Sequence, residues 1–217
     1  MVFDWGVVAY AAPLLAEGVV ITLQISVLAG ILGLAFGFTL GLAALSGFRP
    51  LVWVVRAYVD FIRGTPLLIQ IFLVFFALPV IGIRFSEFWA GVIALALNAG
   101  AYVSEVVRGA VGSVEKGQTE AALSIGMTRA PLLFHILLPQ AWRPMVPALT
   151  NDMVTLTKNS SLLSVISVYE LTRAGQAVIS THFAPFEIYL LLALYYYVLI
   201  TALATASRWL ERRLPTW

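Results

Sequence analysis

Between residues 150 and 162 of an otherwise apolar chain stands a polar run: Asn151, Asp152, Thr155, Thr157, Lys158, Asn159, Ser160 and Ser161. A lysine beside serines suggests an activated hydroxyl nucleophile, the chemistry of a serine-lysine intramembrane protease. Adjacent residues on a helix do not face one another, which counts against that reading. Nucleotide hydrolysis fares no better. A phosphate-binding loop needs Gly-Lys-Ser/Thr, and here Lys116 follows Glu115 while Lys158 follows Thr157. His135 and His182 lie far apart and on opposite predicted sides of a membrane, so they share neither a metal nor a reaction, and each reads as an ordinary loop residue. Absence of cysteine removes disulfides, thiolate metal sites and a cysteine nucleophile together. What remains is the cost of ionisable groups in an apolar span, which places them toward a bundle interior or a cavity. That makes Asp152 and Lys158 functional candidates, with Arg63 more peripheral. Their six-residue separation does not suit a helical ion pair, so each is expected to find a partner on another element or beside a chain break. Lys158 has two open readings, substrate contact or holding its span against neighbours.

The elements that must hold these groups are membrane spans. Of 217 residues, 61% are hydrophobic and 11% charged, and mean hydropathy is +0.94; a span needs roughly 20 largely apolar residues. Five stretches qualify, at about 18–48, 51–83, 88–108, 145–168 and 188–207, the fourth being the most polar. The chain therefore reads as an all-α membrane protein, one domain over 1–217, built as a bundle of about five transmembrane helices. Residues 1–17, with Trp5 and Tyr10, read as an amphipathic lead-in at the interface, and Asp4 ahead of any basic residue does not suit a cleaved signal peptide. Gly33, Gly37 and Gly41 line one face of the first span, where another helix can approach closely, by internal packing within the subunit in preference to a dimer contact. Gly64-Thr65-Pro66 interrupts the second span, and such a break is tolerated only where protein buries it or it lines a wet cavity. A net charge of +2 is too small to suggest nucleic acid. No internal repeat is visible, which counts against an ion-coupled secondary transporter.

Residues 117–147 form a water-facing island between the third and fourth spans. Thr119 is placed to cap a short helix, Glu120 suits the positive end of its dipole, and Gly126 can end it. Pro139, Pro144 and Pro147 are expected to break up the rest of the island. A helix of about two turns is marginal by itself, so it needs something to dock against. Glu120-Ala121-Ala122, then Gly126, Ile136, Leu138 and Pro139 at fixed offsets, resembles the EAA loop of ABC-importer membrane subunits. The run from Phe61 to Gln70, FIRGTPLLIQ, and Lys158-Asn-Ser-Ser-Leu162 look like the subfamily that imports polar amino acids.

That resemblance implies a translocation subunit with a cytoplasmic coupling helix inside a loop at about 112–143. Gly117, Gln118, Glu120, Ala121, Ala122 and Gly126 would engage a separate ATP-binding cassette subunit. It implies no catalytic or metal site and no cofactor on this chain, with ATP and Mg on the partner ATPase. Further expected partners are a second copy or related permease, an extracytoplasmic solute-binding protein, membrane lipid and the amino-acid substrate. For the substrate path, Gln70, Asn98, Thr157, Asn159 and Ser160 offer neutral hydrogen bonds to a zwitterion, and Gly64 and Thr65 offer freed backbone groups. Basic residues near the span ends set orientation. One side would hold Arg49, Arg56, Arg108, Lys116, Arg129, Arg143, Arg208, Arg212 and Arg213, the other Arg84 and Arg173. The expected place is the bacterial inner membrane, multi-pass, N-terminus outside and C-terminus cytoplasmic. Family members often carry Asp or Asn after this lysine, and Asn159 here leaves Asp152 as the one acid of the fourth span, near its inner mouth. A neutral polar or acidic amino acid is thus expected, rather than arginine, lysine or histidine.

Overall fold

The computed structural model describes residues 3–212; the first two residues of the expected lead-in and Arg213 of the expected basic cluster lie outside the described residues. Helix α1 (Trp5–Leu45) begins where Asp4 accepts the amides of Gly6 and Val7 at 2.9 and 3.2 Å. Such a cap satisfies donors that have no partner within the helix. The helix then runs for 41 residues, so the separate lead-in expected over 1–17 is instead the first part of the first span. Its continuity has a packing cause. Val7, Ala11 and Leu15 are buried against Leu171, Ala174, Val178, Ile188 and Leu192, residues far along the chain.

Helix α2 (Arg49–Gly64) and helix α3 (Leu67–Phe72) meet at the expected break, where Thr65 is extended and the chain bends by 110°. Residues Leu73–Ala77 continue as a wide π turn and Leu78–Ile81 as a 3-10 turn, closed by Gly82 at φ 89°. Helix α4 (Glu87–Gly112) is the central element. It lies against the glycine face of α1, so close that a Cβ on Gly37 would stand 2.5 Å from Val103 Cβ and 2.6 Å from the Gly100 carbonyl. Gly33 meets Ala96 and Ala99 in the same way, and Gly41 meets Val107. Small residues are thus spent on a contact inside the subunit.

Helix α5 (Lys116–Ser124) starts three residues before the expected cap; Glu115 holds the cap position and Thr119 lies within the helix. A single turn α6 (Arg129–Pro131) and a π turn (Leu132–Leu137) lead into helix α7 (Leu138–Asn159). The three prolines do not break α7. Pro139 falls in its first turn, where no intrahelical donor is needed. Pro144 and Pro147 would otherwise donate to the carbonyls of Gln140 and Arg143, whose residues are exposed where water can take over those bonds.

The fourth span expected at 145–168 is not one helix. After Asn159 the chain tightens into a 3-10 turn (Ser160–Ile166) and reverses at Ser167, φ 66°. A helix that the sequence does not announce comes next, α8 (Leu171–His182), and then α9 (Pro185–Arg212). Among the described residues, α1, α4 and α9 are each long and apolar enough to cross a membrane, and the bent pair around Thr65 passes the same test together. At one end of the bundle, the Asp4 amide donates to Glu187 at 3.2 Å. At the other, the Arg129 guanidinium packs on Gly47, and Thr150 donates to Glu211 at 2.6 Å. The start of α1 therefore shares an end with the start of α9, opposite the end that carries α5.

Candidate functional site

The break at Gly64-Thr65-Pro66 is repaired by side chains. Pro66 cannot donate to the Ile62 carbonyl four residues back; Gln70 Nε2 does so instead, at 2.7 Å. The same nitrogen reaches the Thr65 carbonyl at 3.1 Å and Thr65 Oγ1 at 3.0 Å. Thr65 Oγ1 donates to Phe61 O at 2.9 Å, and Asn98 Nδ2 donates to Gln70 Oε1 at 2.9 Å. Gln70 is thus only 4% exposed, with both ends of its amide committed. It is a strut behind the opening, not the free hydrogen-bonding group that the sequence suggested. Losing it would orphan buried carbonyls, at a cost of about 1–3 kcal/mol each.

The opening itself is a cavity of about 210 Å³ whose polar lining comes from Thr65, Asn98, Tyr102, Asp152, Thr155 and Asn159. That is below the roughly 300–1,000 Å³ of pockets for drug-sized ligands, a size for a small polar molecule. Leu67, Leu95, Ala99 and Leu156 complete it. Asp152 Oδ2 is buried and has no hydrogen-bond partner among the described residues. A carboxylate so placed calls for a cation or a donor from a ligand. Asp152 also stands farther along its helix than expected, because α7 begins at Leu138 rather than Met145.

The polar run of α7 is divided among its faces. Asp152, Thr155 and Asn159 share the cavity wall at intervals of three and four residues. Thr157 and Ser160 are buried elsewhere, their hydroxyls bonded to the Met153 and Thr157 carbonyls at 3.0 and 2.9 Å. Lys158 is exposed in a groove beside α9, and Gly64 is exposed outside the cavity lining. Among the described residues, neither Asp152 Oδ2 nor the Lys158 ammonium meets the partner expected for it. Ser161 Oγ donates to the Lys158 carbonyl at 2.9 Å, and among the described residues no serine hydroxyl pairs with the Lys158 amine.

Three features escaped the sequence reading. Tyr102 and Thr155 line the cavity, and their signal was helical register with Asn98 and with Asp152 and Asn159. Glu105 binds Arg108 at 2.7 Å and Arg63 at 3.4 Å, while Arg63 lies 5.7 Å over the Tyr102 ring, tying α2 to α4 beside the cavity. Glu170 is fully buried, accepts the amides of Thr172 and Arg173 and the hydroxyl of Tyr196, and caps α8. Only a helix start at that glutamate could have revealed it. His135 contacts the Pro131 carbonyl, and His182 stacks on Tyr10; no group of three or more metal-binding side chains occurs among the described residues.

The second surface is α5. Gly117, Gln118, Glu120 and Ala121 are exposed, and Ala122 alone is buried. The helix closes in a Schellman arrangement, Met127 N to Ala122 O at 3.1 Å and Gly126 N to Leu123 O at 3.0 Å, with Gly126 at φ 80°. Leu123 and Ile125, 51% and 79% exposed, leave an apolar rim that suits a docking partner.

A family model described as "Binding-protein-dependent transport system inner membrane component" matches residues 33–215. The arginine transport system permease protein ArtQ of Bacillus subtilis (strain 168) is 37% identical over 217 residues, covering 100% of this chain and 99% of that protein. The glutamine transport system permease protein GlnP of Escherichia coli (strain K12) is 40% identical over 216 residues, 99% of each chain. Among solved structures, an amino acid ABC transporter with histidines superimposes with a TM-score of 0.92 at 36% identity, over 99% of this chain and 100% of the other.

Proposed function

We propose that this chain, which belongs to the family of binding-protein-dependent transport system inner membrane components, is the membrane-spanning translocation subunit of an ATP-driven importer for polar amino acids. It is an integral inner-membrane protein and a permease component rather than an enzyme. The observation that carries the reading is the small, partly polar cavity inside an apolar bundle, with the uncommitted Asp152 carboxylate oxygen in its wall. There Asp152 would take the substrate ammonium, and Thr65, Asn98, Thr155 and Asn159 would hydrogen-bond the rest. ATP and Mg belong to a separate cassette subunit, and α5 docks on it through Glu120 to Gly126. A second copy or related permease completes the path, and an extracytoplasmic binding protein delivers the substrate. Closure of the ATPase pair would then move α5 and swing the attached spans between inward-open and outward-open arrangements.

Purification of the tagged chain from its own membranes tests this directly. The cassette ATPase and a permease partner should come with it, and vesicles holding the complex should take up an amino acid only with ATP and the binding protein. Uptake by the chain alone, driven by an ion gradient, would replace the proposal with a secondary carrier.

The arginine bias further proposes that the α5 end is cytoplasmic and the start of α1 external. Since the sequence has no cysteine, Ser86→Cys and Thr128→Cys should label from opposite sides with an impermeant thiol reagent. Labelling of both from one side would refute that orientation.

A further inference from the structure

The turn at residues 46–48, between α1 and α2, has no room for a side chain at its centre. Gly47 stands there at φ 77°, and a Cβ on it would collide with the Arg129 guanidinium, whose Cζ lies 3.6 Å from that position. Arg129 begins α6, in the loop that follows α5. Its guanidinium makes no ion pair among the described residues, and a planar, weakly hydrated group suits bare backbone. The turn itself is firm, because Ser46 Oγ donates to the Ala43 carbonyl at 2.8 Å and accepts the Phe48 amide at 3.3 Å. An apolar contact accompanies the arginine. Leu45, the last residue of α1, and Leu133 and Leu137 of the π turn pack against one buried cluster that includes Val107, Val111 and Ala141, and α5 in turn rests on that π turn.

Beyond the turn, α2 runs about 24 Å, at 1.5 Å for each of its 16 residues, to the break at Thr65. It is held as one stiff piece, with Val55, Val59 and Ile62 buried beside Ala101 of α4 and Tyr58 Oη donating to the Leu97 carbonyl at 2.7 Å. Thr65, at its far end, lines the cavity opposite Asp152, Thr155 and Asn159 of α7. Helix α7 continues directly from the π turn. The loop after α5 therefore grips the starting ends of both helices whose far parts wall the cavity. A close-packed contact passes displacement on instead of absorbing it. The geometry points to Arg129 and Gly47 as a joint through which movement of α5 reaches α2 and Thr65, a second route to the cavity beside the one through α7. Arg129 acts there as a positioning residue, and Gly47 is the seat that admits it. This rests on the importer reading above.

The test uses the complete transporter, with its ATPase and binding protein, in vesicles, and reads amino-acid uptake per ATP hydrolysed. Arg129→Ala should lower that ratio about fivefold, within the range for residues lying between coupled sites, while binding-protein-stimulated ATP hydrolysis persists. Gly47→Asn should do the same, since asparagine accepts a positive φ but its side chain displaces the guanidinium. Because each removes the same contact, the double variant should be no worse than either one. The chain has no cysteine of its own, so in Gly47→Cys/Arg129→Cys a short bismaleimide should link loop to turn and restore the ratio, which a merely local packing role does not predict. A wild-type ratio in Arg129→Ala, losses that add in the double variant, or linkage without recovery would overturn the joint. Loss of stimulated ATP hydrolysis in Arg129→Ala would overturn it too, by placing the arginine on the ATPase. If the paired cysteines do not assemble, Arg129→Ala and the double variant with Gly47→Asn decide. Absence of binding-protein-dependent uptake in the wild type would instead undo the importer reading itself.

Discussion

A Gly126→Arg variant is expected to assemble in the membrane yet lose at least about tenfold in uptake and in binding-protein-stimulated ATP hydrolysis. Gly126 sits at φ 80° as the closing residue of the Schellman arrangement, and open space surrounds it within this chain. An L side chain there costs roughly 1–2 kcal/mol of local strain, and about 1.4 kcal/mol is a factor of ten in an equilibrium. The bundle should survive, because Ala122 is the one residue of α5 that is buried. No described residue lies within 4 Å of a Cβ placed there, so the assay reads a collision with a docked partner. Gly126→Asn separates the two causes, since asparagine tolerates the left-handed conformation and adds less bulk. It should retain most activity, and Glu120→Lys should fall between them. Full uptake and full stimulated ATPase activity in Gly126→Arg would remove α5 from the coupling surface.

The legible parts of this fold were those in which a residue type has a single physical use. Glycines every four residues promised a close helix contact, and α4 makes it through Gly33, Gly37 and Gly41. Proline after Gly64-Thr65 promised a break, and Gly126 promised a helix end. Less legible were features whose cause lies elsewhere in the chain. The unbroken run of α1 depends on Leu171, Ala174 and Val178 of α8, and α8 depends on a buried glutamate cap that reads from sequence as a charged loop residue. Gln70 looked like a ligand because its carbonyl acceptors become visible only once the break is folded. In α7, composition marked the polar run, but only helical register shows which members turn inward. Asp152, Thr155 and Asn159 do so, and Lys158 does not.

That register also bears on which amino acid is carried. Arginine- and glutamine-named permeases are similar to this chain at 37% and 40% identity, so overall likeness does not separate them. In the proposed site the cavity does, because Asp152 is the one carboxylate in its lining and the substrate ammonium would already occupy it. A second positive charge, on an arginine or lysine side chain, would meet Asn159 and Asn98, which offer dipoles but no full charge. Its desolvation, several kcal/mol per ion even after relaxation, would go uncompensated. We therefore expect a neutral polar amino acid of the glutamine kind to be transported in preference to arginine, with the side-chain amide on the two asparagines. Asn159→Asp should shift that preference toward arginine by about 10- to 100-fold, the worth of a hydrogen bond to a charged group, about 1.5–3 kcal/mol. Asp152→Asn should depress uptake of every amino acid, because it removes the ammonium contact common to all of them. Competition assays in vesicles, with the binding protein present at saturation, read both effects. Wild-type transport of arginine with negligible glutamine uptake, or an Asn159→Asp variant with unaltered preference, would show that Asp152 and Asn159 do not divide the substrate's charges in this way.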